Sequence, residues 1–150
     1  MSLEIIKISS TKTGILYKII ENNNAISIKL TNMRALFKPD KYYNNFYIKW
    51  QIDIENIYKI LKIEKLLSQH FKKEVTSNII KKHNYPLMLN TKFTSNKNNP
   101  IIIDGSLLSV AEFIETNLEK SYNITIEFGK IFVNDDTVRY PLIIRRIDIY

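Results

Sequence analysis

Two periods run through this chain, and the point where one gives way to the other constrains its fold most. From Phe46 to Ile54 the side chains alternate. Phe46, Ile48, Trp50, Ile52 and Ile54 fall on one face, and Tyr47, Lys49, Gln51 and Asp53 on the other. A period of two is the mark of a half-buried strand. Directly afterwards Ile57, Ile60, Leu61, Leu67 and Phe71 fall at helical spacing, with Lys59, Lys62, Lys65 and Lys72 between them. This predicts a helix from about Glu55 to Lys73, with Ile57, Ile60, Leu61 and Leu67 turned inward. Asp53 and Glu55 stand near its positive end and Lys72 and Lys73 at its negative end, as the helix dipole favours.

The rest of the chain is written mostly in strands. Leu3 to Ser9 and Ile15 to Ile20 are isoleucine-rich, and Ala25 to Leu30 alternates after an Asn22-Asn23-Asn24 turn. Leu87 to Thr94, Pro100 to Asp104 and Tyr122 to Phe128 also read as strands. Ile131 to Val133 and Val138 to Ile149 form a closing hairpin around Asn134-Asp135-Asp136-Thr137. Ser106 to Thr116 is expected to form one short helix. With 150 residues, no linker-like stretch and no internal repeat, the chain is expected to form one domain over 1–150. The expected class is mainly β: a five-stranded barrel of the OB-fold type, with one long helix inserted mid-chain and one short helix. In the standard OB-fold the helix joins the third and fourth strands, whereas a β-sandwich would need more strands at even spacing, and a long helix at mid-chain argues against it.

Composition excludes several chemistries. With no cysteine there is no disulfide framework, thiolate zinc site or cysteine nucleophile. No apolar run approaches the ~18 residues of a membrane span, and Met1-Ser2-Leu3-Glu4 does not begin a signal peptide. His70 and His83 have no carboxylate at ligand spacing and read as surface imidazoles. Gly14, Gly105 and Gly129 stand alone, so no phosphate loop or dinucleotide fingerprint is present. Asp104-Gly105-Ser106 and Asp135-Asp136 read as turns. Nothing composes a nucleophile, a base and an orienting group, so neither an enzyme nor a cofactor is expected.

Charge is more informative. The 27 Ile, 18 Lys and 16 Asn against 4 Arg and 3 Gly are what an A/T-rich genome produces. A codon effect does not by itself gather charge in one part of a chain. Yet residues 1–100 hold 17 Lys and Arg against 7 Asp and Glu, or +10, while residues 101–150 hold 5 against 8, or −3. Such an excess is either a solvated lysine-rich surface or the footprint of a polyanion.

The segment Lys29 to Trp50 favours the polyanion. It carries Lys29, Arg34, Lys38, Lys41 and Lys49, six aromatic residues (Phe37, Tyr42, Tyr43, Phe46, Tyr47 and Trp50), and Asp40 as its one acidic residue. Cations neutralise phosphates and rings stack on exposed bases, at ~1–3 kcal/mol per base, which holds a single strand without reading its sequence. Strand parity sorts the rings: Trp50 shares its face with Ile48 and Ile52 and belongs to the core, whereas Tyr47 and Lys49 face a ligand. Tyr42 and Tyr43, in a polar loop, are candidate stackers, and Phe37 fits either role.

The stretch Asn32-Met33-Arg34-Ala35-Leu36-Phe37-Lys38-Pro39-Asp40-Lys41-Tyr42, then Phe46-Tyr47-Ile48-Lys49-Trp50-Gln51-Ile52-Asp53 and a helix, resembles a known family. It is similar to the single-stranded DNA-binding proteins of short-tailed phages and nucleocytoplasmic large DNA viruses, in pattern and order rather than through an invariant motif. The likeness covers most of residues 15–149. It implies an OB-fold and sequence-independent binding of single-stranded DNA in replication, recombination or repair, at an intracellular viral replication site. It also implies binding by Arg34, Lys38, Lys41, Tyr42, Tyr47 and Lys49, and adds Lys92 and Arg139 with Tyr140 from the second half. The implied partner is single-stranded DNA; replication proteins and a second copy of the chain in a homodimer are further candidates, and no membrane partner is expected. Phage members end in a long acidic tail with a final aromatic. Here no acidic run precedes Tyr150, a departure that puts tail-mediated recruitment of polymerase or helicase in doubt. Two readings of the same residues stay open: an RNA-binding or transcription-associated module, and a protein-interaction domain whose Tyr, Trp and Arg form a hot spot.

Overall fold

The computed structural model describes residues 3–37, 39–42, 45–93, 101–103, 106–108 and 120–149. Its elements in chain order are β1 (Leu3–Ser10), β2 (Ile15–Glu21), β3 (Asn24–Ala25), β4 (Ser27–Ala35), β5 (Asp40–Tyr42) and β6 (Asn45–Gln51), then α1 (Ile54–Phe71). They continue with β7 (Glu74–Val75), β8 (Ile79–Ile80), β9 (Met88–Phe93), β10 (Ile101–Ile103), β11 (Ser106–Leu108), β12 (Ser121–Phe128), β13 (Ile131–Val133), β14 (Thr137–Arg139) and β15 (Leu142–Ile149).

Five of these strands close on themselves. β15, β12, β4, β6 and β9 are hydrogen-bonded in that order, and β9 returns to β15 through the parallel pair Lys92 and Ile143. Counted along the chain, the barrel runs first, second, third, fifth, fourth and back to the first. This is an OB-fold-like barrel. Closure removes the sheet edges that would otherwise stand open. β10, β11, β8 and β5 extend this sheet, and β1, β2, β3, β13, β14 and β7 form a second one.

Alternation builds the barrel interior. β12 is buried at every second residue, Tyr122, Ile124, Ile126 and Phe128. Leu30, Met33, Ile48, Trp50, Leu89, Ile144 and Ile147 complete a continuous core with it. In β4 the alternation slips by one: Leu30 and Met33, three apart, are both fully buried. Asn32 lies between them with φ 55°, and the β4–β12 register shifts there. A bulge of this kind puts an extra residue into one strand and lets both sides of it face inward. The same slip lets the strand run on to Ala35, past the Leu30 at which simple alternation stops.

α1 begins where the sequence indicates. The Asp53 carboxylate accepts from the Asn56 N–H at 2.9 Å as the N-cap, and Lys72, with φ 55°, closes the other end by donating to the Ser68 carbonyl at 2.8 Å. Its buried side is Asn56, Ile57, Ile60, Ile63, Glu64 and Leu67. Two expectations are corrected here. Leu61 is 40% exposed, and Ile63 takes the inward place assigned to it. Ile54, expected on the inward face of β6, is 66% exposed because it already belongs to the first helical turn. The helix joins the second and third barrel strands, not the third and fourth, because β1 and β2 belong to the second sheet and only β4 and β6 precede it.

Two further expectations change. Val138 to Ile149 is not one strand: it splits into β14 and β15 around Tyr140-Pro141, where the chain crosses from the second sheet into the barrel. Proline has no N–H to offer a ladder, which suits that crossing. Ser106–Leu108, expected to open a short helix, instead pairs as β11 with β10. The remainder of that segment, to Thr116, lies outside the described residues. Asn22 and Asn23 both take positive φ (52° and 66°), giving the tight turn the three asparagines suggest.

Candidate nucleic-acid interface

The outer face of β6 and β9 gathers the candidates. Across this ladder Tyr47 stands opposite Lys92, and Lys49 opposite Asn90. All four are half-buried and alternate with the buried Ile48, Trp50, Leu89, Thr91 and Phe93. On the other side of β6, Arg34 of β4 is paired with Gln51 and is exposed, which sets its side chain on the same outer face. Tyrosine, lysine, arginine, asparagine and glutamine thus form one polar surface backed by an apolar barrel wall.

Electrostatics on this face is only partly neutralised. The Lys49 ammonium lies 3.9 Å from the Asp40 carboxylate, and this exposed pair is weak. Among the described residues no carboxylate forms an ion pair with Arg34 or Lys92, while Arg145 and Arg146 are paired with Glu127 and Asp148. A pocket lined by Asn32, Arg34, Gln51, Asp53 and Ser121 continues the face where β4 meets β12.

The remaining candidates are placed differently. Lys41 and Tyr42 stand on β5, opposite Phe46 and Asn45, in the antiparallel ribbon that β5 forms with the start of β6. Lys38 and Tyr43 lie outside the described residues. Arg139 is exposed on β14, in the second sheet, and is not joined to the β6–β9 group by strand pairing.

Tyr140 is a correction. It is 4% exposed, its ring stacks on Phe128 at 5.0 Å, and its hydroxyl donates to the buried Glu64 carboxylate, which also accepts from Ser77 Oγ at 2.8 Å. Burial, then the negative charge of Glu64, then that hydrogen bond push the phenol far above its ordinary pKa. Tyr140 therefore ties α1 to the β14–β15 crossing and presents no ring to a ligand. Trp50 behaves as its parity indicates: it is fully buried and packs edge-on against Tyr122 at 6.3 Å. Asn90 and Gln51 join the face without being site candidates of the sequence reading, although alternation already sets Gln51 beside Tyr47 and Lys49. The alternation of Leu89, Thr91 and Phe93 against Asn90 and Lys92 was the available signal for the first of them.

The fold and this face together define an OB-fold-like protein whose second and third barrel strands carry a basic, tyrosine-bearing outer surface. In OB-folds the face of those strands and the loops beside it are where oligonucleotides and oligosaccharides bind. A single-stranded DNA-binding protein from bacteriophage Enc34, solved as a C-terminal truncation, has a similar structure, with a TM-score of 0.56 over 97% of this chain and 94% of that one. At 14% identity the likeness establishes a shared fold. No protein-family model and no curated protein sequence matches the chain. Among the described residues no helix is long and apolar enough to cross a membrane.

Proposed function

We propose that this chain binds single-stranded DNA without regard to sequence, in viral DNA replication, recombination or repair. The observation that carries the reading is the β6–β9 face. Lys49, Lys92 and Arg34 supply phosphate contacts, Tyr47 supplies a ring for stacking, and Asn90 and Gln51 supply hydrogen bonds that any base or phosphate can accept. Duplex DNA hides its base faces, so a surface that depends on ring stacking favours unpaired strands. The phage protein of similar fold and the composition of an A/T-rich genome agree with a viral replication site as the setting. Replication proteins and a second copy of the chain are the further partners of this reading.

Competition among matched single-stranded DNA, single-stranded RNA and duplex DNA oligomers tests it. The expected order places single-stranded DNA first and the duplex last. Tighter binding of RNA would assign the same face to an RNA-binding module, since only contacts to the 2′-hydroxyl separate the two chemistries. Absence of binding at low salt would make the face a protein interface.

A further inference from the structure

Phe37 and Tyr85 lie 48 positions apart, yet their rings meet edge to face at 5.5 Å, and both stay open to solvent, at 42% and 46%. They arrive from opposite sides of β6. The N–H of Leu36, next to Phe37, donates to the Lys49 carbonyl at 3.0 Å and continues the β4–β6 ladder. The carbonyl of Leu87, two residues after Tyr85, accepts from the Ile52 N–H at 3.1 Å and continues the β9–β6 ladder. Rings that start on either side of one strand and touch meet over one of its faces or past its end at Gln51. The inner face is filled by Ile48 and Trp50, both fully buried. The outer face, that of Lys49 and Gln51, and the strand end beside it remain. Met88 agrees with this: it stands opposite Gln51 on that face and is 2% exposed, although it is outside the barrel core. The Lys82 ammonium lies 5.7 Å from the centre of the Tyr85 ring.

We infer that Phe37, Tyr85 and Lys82 form a second stacking site for an unpaired base, continuous with Tyr47 and Lys49, with Lys82 placed for the adjoining phosphate. This rests on the single-strand reading above. Two exposed rings with a cation beside them supply both parts of sequence-tolerant strand binding, π-surface and positive charge. The other role open to such a pair is to fasten the loop at 81–87 to the β4–β5 connection, which rings in edge contact also do.

The experiment uses the whole chain and oligo-dT. Phe37→Leu and Tyr85→Leu keep apolar bulk and remove the flat stacking surface. Each is expected to weaken binding about tenfold with an unchanged melting temperature. Photo-crosslinking of unaltered protein to bromodeoxyuridine-substituted oligo-dT is expected to label Phe37 or Tyr85, whatever the stability of the variants. Affinity unchanged in both variants, or crosslinks confined to other residues, overturns this inference and leaves the β6–β9 reading standing. An unaltered protein that binds no oligo-dT overturns both.

Discussion

The indole N–H of Trp50 donates to Thr91 Oγ1 at 2.8 Å, and that hydroxyl donates to the Ile48 carbonyl at 3.0 Å. The one tryptophan is thereby fixed to the β6–β9 ladder from the inner side, directly behind Tyr47 and Lys49. Trp50→Ala should destabilise the fold by about 3–5 kcal/mol in urea melts. Thr91→Val, which keeps the shape but strands the indole N–H, should cost about 1–3 kcal/mol. Fluorescence of the unaltered protein should be blue-shifted and change little when oligo-dT is added. Strong quenching by oligo-dT would mean that Trp50 reaches the ligand.

Tyr47 occupies the opposite face of the same strand. Tyr47→Ala should weaken oligo-dT binding by about 1–3 kcal/mol and leave the melting temperature nearly unchanged. A variant that melts early and regains full affinity once folded would make Tyr47 a packing residue.

On α1 the inner and outer faces should separate cleanly in stability. Ile60→Ala, at a fully buried position, should cost about 2–5 kcal/mol, and Leu61→Ala less than about 1 kcal/mol. Equal losses for the two would contradict the observed helix face.

Tyr140 predicts an alkaline effect. Its pKa is raised in the folded state, so the folded protein holds the phenolic proton more tightly than the unfolded chain does. The associated stability is present below the ordinary tyrosine pKa of about 10 and is lost as pH rises above it. The stability of the unaltered protein relative to Tyr140→Phe should therefore shrink above about pH 10. A constant difference from pH 8 to beyond that point, on the order of the tyrosine range, would show that the phenol does not titrate with unfolding.

Much of this fold is legible in the residues because strict alternation leaves little choice. β12, the β6 segment from Phe46 to Gln51 and the Asn22-Asn23 turn could each be read directly, and so could the start of α1 near Asp53 and Glu55, although the capping role of Asp53 was not. What could not be read depends on tertiary partners. The bulge at Asn32 breaks the period in β4, and only the pairing with β12 reveals that the strand continues. Leu61 carries the same apolar signal as Ile63, and only the elements packed on α1 decide between them. Tyr140 follows an arginine in a hairpin and looks like an exposed ring, but its partner Glu64 lies 76 residues earlier. The meeting of Phe37 with Tyr85 is equally non-local, and the loop around Tyr85 has no period to mark it. The β6–β9 face lies between these cases: parity gives Tyr47 and Lys49, the family resemblance adds Lys92, and cross-strand register sets Lys92 beside Tyr47 and brings in Asn90.

A salt titration of poly-dT binding, with a blunt duplex measured alongside, tests the central claim most directly. Arg34, Lys49 and Lys92 acting on phosphates should give a log–log slope of about −2, at roughly −0.7 per contact on a single strand, with the single strand preferred at every salt concentration. A flat salt dependence, or equal affinity for the duplex, would contradict a basic stacking face on β6 and β9.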